Sequence, residues 1–346
     1  MNGSTNAHLF APGKLIWVGE YAVLDGAPSI VQAVDRGLHL DYAPSDASLT
    51  VSSDLWAGNL LLTDATADRA ETALLAAVVA TLTEAGAALA QLTGTLKLAS
   101  PDLIDATTGL KFGFGSSAAA AAALTVALGR LAGLPDDRLS ALAHAAHRRF
   151  QKGAGSGVDV ETSLFGGFAR MHAGTRADGT DAFAEPLFDE HHWDLRVVIA
   201  VTVEGEKEVA STDGMNLTDR TSPYYPAWIE TVEPDVQSAI TALAARDFDH
   251  LARIAEASAL RMHASAIAAD PGVLYWRGAT VEVIHEVRRL RAGGLPVFFT
   301  IDAGPHVKVF THADEVSAVV RALEATPGVL RTIVTAPAAG AHLVHG

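Results

Sequence analysis

The spacing of apolar and polar positions changes several times along the chain. Residues 38–41, 48–52 and 95–98 alternate or carry β-forming side chains and predict strands, whereas residues 70–90 are rich in Ala and Leu and predict a helix. A glycine- and serine-containing stretch at 107–117 then opens into an apolar run that predicts a helix from Ser116 to Leu131, ended by Gly133 with Pro135 just beyond. A second helix is expected from Asp136 to Phe150. After it come Gly153-Ala154-Gly155-Ser156-Gly157, Val158-Asp159-Val160 and a Gly166-Gly167 turn, a glycine-rich loop between regular elements, where function tends to be placed. The loose stretch 172–185, rich in Asp, Gly and Ala, marks a boundary, so domains of 1–185 and 186–346 are expected. Beyond it, residues 195–203 read as a strongly β-branched strand. Helices over 225–246, 248–259, 279–292 and 313–325 then alternate with strands at 296–301, 307–311 and 330–335. The mixture predicts an α+β protein whose two parts pack over a shared cleft.

Composition narrows the partners. With 346 residues, 49% of them hydrophobic and 19% charged, the chain can bury one large core or two joined ones, which excludes a disordered chain or a disulfide mini-protein. Its net charge of −15 repels nucleic acid and anionic lipid, so neither is expected as a partner. The longest apolar runs, at 74–82 and 118–128, fall short of the roughly 20 residues of a membrane helix. The first eight residues lack the basic start and apolar core of a secretory signal, and a cytoplasmic location is expected. The chain has no cysteine, so catalysis must come from oxygen, nitrogen or a bound ion. The sequence does not fix the oligomeric state, and a homodimer stays open.

The sharpest chemical signal is Gly113-Phe114-Gly115-Ser116-Ser117 at the head of the 116–131 helix. Small residues let the backbone approach a polyphosphate, the helix start offers N–H groups and a positive dipole end, and the Ser116 and Ser117 hydroxyls can cap the helix, donate to phosphate or ligate Mg²⁺. The plainer alternative is a Ser-capped Ala helix after a tight turn. It is not a Walker A loop, because the Gly-Lys-Ser/Thr ending is missing. A second segment, residues 11–26, sets Lys14 after Pro12-Gly13 at the mouth of a short β-like run, with Gly19-Glu20-Tyr21 one strand length later. A third supplies Asp159 beside the glycine-rich turn, where a carboxylate can approach a substrate hydroxyl or merely cap a helix. Of 14 histidines, none falls in a His-Glu-x-x-His pattern, and His144, His147, His191 and His192 read as surface or capping residues. Arg148, Arg149 and Lys152 form a basic cluster, either a solvated helix end or a phosphate contact.

These three segments together resemble the GHMP kinases, small-molecule kinases named for galactose, homoserine, mevalonate and phosphomevalonate. The resemblance implies the two-part α+β GHMP fold, with an N-terminal ATP-binding part and a C-terminal part closing the substrate cleft. Within the family, residues 11–24 and 155–160 are most similar to phosphomevalonate and mevalonate kinases. Residues 206–215, 221–225, 262–265 and 300–307 look instead like diphosphomevalonate decarboxylase, and place Asp302 as a second acid/base candidate; locally, Asp302 also reads as a turn former before Gly304-Pro305. The resemblance implies MgATP as phosphoryl donor, held by Gly113, Gly115, Ser116 and Ser117, with Ser117 the Mg²⁺ ligand and the second ligand unassigned. Lys14 and Asp159 would serve the acceptor oxygen, and Glu20, Tyr21, Lys207 and Ser211 would line the pocket of a phosphorylated acid. The decarboxylases carry an Arg just after the Gly-Ser-Gly turn, where this chain has Val158, Asp159, Val160 and Glu161. That acidic run favours a kinase, and phosphomevalonate kinase is the expected activity. A decarboxylase acting through Asp302, a mevalonate kinase or a catalytically silent relative are the alternatives.

Overall fold

β1 (Ala7–Val18) is buried along most of its length, because another strand flanks it on each side and helices cover it. The computed structural model describes residues 5–54, 56–65, 69–103, 113–153, 159–172, 182–203 and 209–344. β1 pairs antiparallel with the long β2 (Ser29–Ser48) and, on its other edge, with β12 (His342–Val344). β3 (Thr50–Ser53), β4 (Trp56–Leu61) and β5 (Thr93–Ala99) complete the order β12-β1-β2-β5-β3-β4. β6 (Phe168–His172) pairs with the beginning of β2 and with β7 (Phe183–Phe188). The start of β2 shows no alternation in sequence because its side chains are buried on both faces, which erases the period of two that predicts only residues 38–41.

On this sheet lie α1 (Ala73–Glu84), α2 (Ser116–Leu131), α3 (Asp136–Phe150) and the short α4 (Asp159–Phe165). α2 and α3 have the expected bounds. Residues 118–129 of α2 are all buried, and their alanines let α1, α3, α4 and β1 approach the helix from every side.

The second sheet is antiparallel, with β8 (Leu195–Val201), β9 (Val297–Thr300), β10 (Val307–His312) and β11 (Arg331–Thr335) in the order β11-β8-β10-β9. Its helices are α5 (Ser211–Thr221), α6 (Tyr225–Ala245), α7 (Phe248–Ile267), α8 (Gly278–Ala292) and α9 (Val316–Glu324). Among the described residues, no helix is long and apolar enough to cross a membrane.

Trp17 joins the two parts. Its ring meets Phe168 of the first sheet edge-on at 5.4 Å and Phe310 of the second at 4.6 Å, and its Nε1 donates to Gln32 Oε1 at 2.9 Å. A single apolar core therefore runs from α2 through β1 into β8, Phe298 and Phe310. The chain end ties the parts again: after β11, the Ala338 N–H donates to the Ala33 carbonyl and β12 adds to β1, so the two parts are interlaced in sequence.

Candidate active site

The glycine-serine loop, Lys14 and Asp159 are brought together at the head of α2. Gly113 and Gly115 take φ of +85° and +71°, left-handed values that make the turn into α2. The Lys14 N–H donates to the Phe114 carbonyl at 2.8 Å, holding β1 against the loop. A Cβ on Gly115 would come within 3.2 Å of the Lys14 side chain, whereas a Cβ on Gly113 would meet nothing within 4 Å among the described residues. The Lys14 ammonium, almost buried, pairs with Asp159 at 3.0 Å, and Asp159, the first residue of α4, remains about one-third exposed (35%). Ser116 and Ser117 form the first turn of α2, whose N–H groups have no earlier helical carbonyl to meet.

Behind the loop stands a buried layer. Ser117 Oγ lies 3.1 Å from Nε2 of His147, a ring that is only 1% exposed. Burial pushes the His147 imidazole down to about 4, assisted by His144 and Lys14 and opposed by the negative charge of Asp159, so it is neutral at pH 7. His144 Nδ1 meets Glu161 Oε1 at 3.3 Å, and Glu161 also accepts the Ala184 N–H. The expectation that His144 and His147 are surface or capping residues is therefore corrected: both lie on the inner face of α3 and tie it to α4 and α2. His191 is exposed as expected, and His192 stacks on Phe188 at 3.9 Å. In the basic cluster, Arg149 is engaged by Glu84 at 2.6 Å and by Thr81 of α1.

A second cluster forms where the turn after β1 meets the second sheet. Asp302 and Lys308 pair at 2.7 Å across the Gly304-Pro305 turn, with the Lys308 side chain 4% exposed. Glu20 is sealed beside them. Thr300 Oγ1 donates to its Oε1 at 2.7 Å, while Oε2 has no partner among the described residues. Burial raises the Glu20 carboxyl to about 7 against the lowering effects of the Thr300 bond and Lys308. Tyr21 occupies left-handed backbone space at φ +61°, and its phenol is pushed above its ordinary value by burial and by Asp302, with Ser211 as hydrogen-bond partner. Ser211, at the start of α5, also donates to the Ala303 carbonyl. His263 is held neutral by burial, with its value near 4, and is bonded to the backbone of residues 301 and 302.

The expected pocket residues Glu20, Tyr21 and Ser211 thus gather around Asp302, with Glu20 too buried to touch a ligand. Lys207 and the Gly155-Ser156-Gly157 turn lie outside the described residues. Among the described residues, no group of three or more His, Asp or Glu is placed to hold a metal ion. Lys14 and Glu20 are six residues apart on one segment, so at most about 22 Å of extended chain separates their backbones.

Comparison with known proteins agrees with this two-part layout. Residues 73–167 match the GHMP kinases N-terminal domain, and residues 197–335 match the mevalonate 5-diphosphate decarboxylase C-terminal domain. Over 215 residues the chain is 34% identical to diphosphomevalonate decarboxylase of Homo sapiens, covering 61% of this chain and 51% of that protein. The Ganoderma lucidum enzyme of the same name gives 34% over 216 residues, 60% and 52% of the two chains. The chain thus spans about half the length of the curated relatives it matches. Solved structures align over nearly all of it. Mevalonate diphosphate decarboxylase from Staphylococcus aureus superposes with TM-score 0.72 at 22% identity and 98% coverage of both chains. A complex described as MDDEF with MVAPP, AMPPCP and magnesium gives 0.70 at 25% identity and 99% coverage of both.

The fold is accordingly the mixed α/β two-domain GHMP type. The expected phosphomevalonate kinase is corrected: the relatives found are decarboxylases, and the C-terminal match is to a decarboxylase domain. The structure removes the reason for that expectation. Of the two acidic side chains at 158–161, Asp159 is neutralised by Lys14 and Glu161 is turned inward onto His144 and the Ala184 N–H. The run does not present an uncompensated double negative charge.

Proposed function

We propose that the chain is an ATP-dependent decarboxylase of a phosphorylated mevalonate, with mevalonate 5-diphosphate as the first substrate to try. The observation that carries this reading is the Asp302–Lys308 pair, set by the decarboxylase-type half against the Glu20-Tyr21 turn of the N-terminal half. The γ-phosphoryl group of ATP would pass to the tertiary hydroxyl, whose proton is lost toward Asp302. The phosphorylated intermediate then loses inorganic phosphate and CO₂, leaving an alkenyl diphosphate, ADP, phosphate and CO₂. Lys308 fixes Asp302 in direction through their 2.7 Å contact, so the carboxylate is set to receive that proton.

Gly113, Gly115, Ser116 and Ser117 would hold the triphosphate through backbone N–H groups and hydroxyls, and Lys14 would face the transferred phosphoryl group. A Cβ-free Gly115 against Lys14 and the left-handed turn at Gly113 and Gly115 are the features of a backbone cradle for an anion. Mg²⁺ fits this donor set: it keeps waters and phosphate oxygens as most of its ligands and asks the protein for one or two oxygens, here the Ser117 hydroxyl. When bound, it would neutralise charge on the phosphates. Asp159 fixes the Lys14 ammonium from the opposite side.

The deciding experiment mixes MgATP with mevalonate 5-diphosphate and follows ADP, phosphate and CO₂ together. Equal amounts of all three are expected, with CO₂ lost in Asp302→Asn. ADP formation with a stable new phosphoester and no CO₂ would reject the decarboxylase reading.

A further inference from the structure

We infer that His147 is a positioning residue that turns the Ser117 hydroxyl into a hydrogen-bond donor aimed at the nucleotide phosphates. The inference rests on the reading of residues 113–117 as the phosphate site and adds a group from outside that loop.

His147 reaches Ser117 from α3, an element the phosphate loop does not include. Nε2 lies 3.1 Å from Ser117 Oγ, the ring is 1% exposed, and Phe150 stacks beside it with centroids 6.3 Å apart. Its Nδ1 is buried without a partner among the described residues. The ring can carry a proton on either nitrogen. On Nδ1 it would make a buried N–H with no acceptor among the described residues, an unmet donor that burial penalises. On Nε2 it is used, donating to Ser117 Oγ. The second tautomer fits the burial pattern. It occupies one lone pair of Oγ, so the serine proton points away from the imidazole, to the side that the phosphate-site reading of residues 113–117 gives to the ligand. A phosphate oxygen arriving there meets a donor already oriented, and the remaining lone pair stays available to Mg²⁺.

The ring itself is held on several sides. His144, one turn earlier on α3, is bonded to Glu161 of α4; Asp159, also on α4, is paired with Lys14; and the Lys14 N–H meets Phe114 beside the loop. β1, α4, α3 and α2 are thus closed into a circuit of polar contacts around the head of α2, which leaves His147 little freedom to swing off Ser117. No acidic side chain is needed in that circuit as a proton acceptor: the histidine acts by direction, not by titration.

The test measures ADP binding by calorimetry in EDTA, where a donor role is read without metal, for the parent, Ser117→Ala, His147→Leu, His147→Gln and His147→Asn. Ser117→Ala and His147→Leu are each expected to weaken ADP about tenfold, and the double variant no further. His147→Gln, whose amide N–H reaches as far as Nε2, should restore binding to within about twofold, whereas the shorter Asn should not. That contrast decides the matter if Leu impairs folding. In turnover assays the Leu variant should raise KM for ATP more than it lowers kcat. Parent-like binding by His147→Leu or His147→Asn, or a double variant weakened by the product of the single effects, would overturn the inference. A parent that binds no ADP would overturn the phosphate-site reading itself.

Discussion

Replacing Glu20 with Gln removes one titrating carboxyl and changes little else in shape. The amide oxygen can still accept from Thr300 Oγ1, now at 2.7 Å, and the amide nitrogen takes the place of Oε2, which has no partner among the described residues. Burying that unpaired N–H₂ costs about 1–3 kcal/mol, a loss that does not vary with pH. The pH-dependent part is different. Glu20 is raised from 4.5 to about 7 in the folded protein, chiefly by burial. A shift of roughly 2.5 units at 1.36 kcal/mol per unit is worth about 3 kcal/mol. The folded chain holds the Glu20 proton between pH 4.5 and 7 while the unfolded chain releases it. The stabilisation is therefore full below 4.5 and is lost as pH rises to about 7.

The parent's own pH profile does not isolate this, because His147 and His263 titrate with the opposite sign. Both are lowered from 6.5 to about 4 by burial, so their contribution is present above 6.5 and lost as pH falls toward 4. The difference between parent and Glu20→Gln cancels those terms. Urea unfolding at pH 5, 6, 7 and 8 should show the variant gaining about 2–3 kcal/mol relative to the parent between the first and last pH. Parallel stability profiles for the two proteins would refute the reasoning and mean that Glu20 is ionised in the fold, with Lys308 outweighing burial.

Three further outcomes are expected. Gly115→Val should lose nucleotide binding with a stability loss of about 1–3 kcal/mol, since its φ of +71° disfavours a β-branched residue and its side chain meets Lys14; calorimetry beside thermal melting measures both. Lys14→Met and Asp159→Asn should each lower kcat by roughly 10²–10⁴-fold, and the double variant by less than the product, as single-turnover assays would show. Asp302→Asn should abolish CO₂ release and also destabilise the fold by up to about 3–5 kcal/mol, because it strands the Lys308 ammonium in a buried position; adding Lys308→Met should recover most of the stability and none of the activity, by urea unfolding and CO₂ assay.

The elements readable in the sequence were those with a complete local signal. α2 and α3 begin and end where their apolar runs, glycine and proline said they should, because nothing tertiary contradicts those signals. α5 was not readable: its sequence, Ser-Thr-Asp-Gly-Met-Asn-Leu-Thr-Asp-Arg-Thr, is polar and holds a glycine, and packing against α6 and α7 sustains it. β12 has three residues and no pattern of its own; it exists because β1 offers an unpaired edge. In the site, the Gly113–Ser117 cradle and the Lys14 and Asp159 candidates came from loop chemistry, which is local.

What escaped was chemistry set by helical phase and by long-range pairing. Leu139, Ala143 and Ala146 mark the inner face of α3 at a spacing of four and then three, and His147 follows Ala143 by four residues, so it falls on the same stripe. That phase was the available signal that His147 points into the protein toward α2 and not into solvent. Lys308 gave less away, since β10 is buried on both faces and alternation does not single the lysine out; its partner Asp302 is adjacent only because the Gly304-Pro305 turn folds the chain back. The kinase expectation failed for the same kind of reason. Counting acidic residues at 158–161 treats both carboxylates as facing the ligand, yet two residues apart on a helix, Asp159 and Glu161 point about 200° apart around its axis. One meets Lys14 in the cleft and the other is buried against His144. Charge in a sequence becomes charge in a site only after the backbone has assigned each side chain a direction, and here that assignment pairs Asp159 with Lys14 and turns Glu161 into the protein.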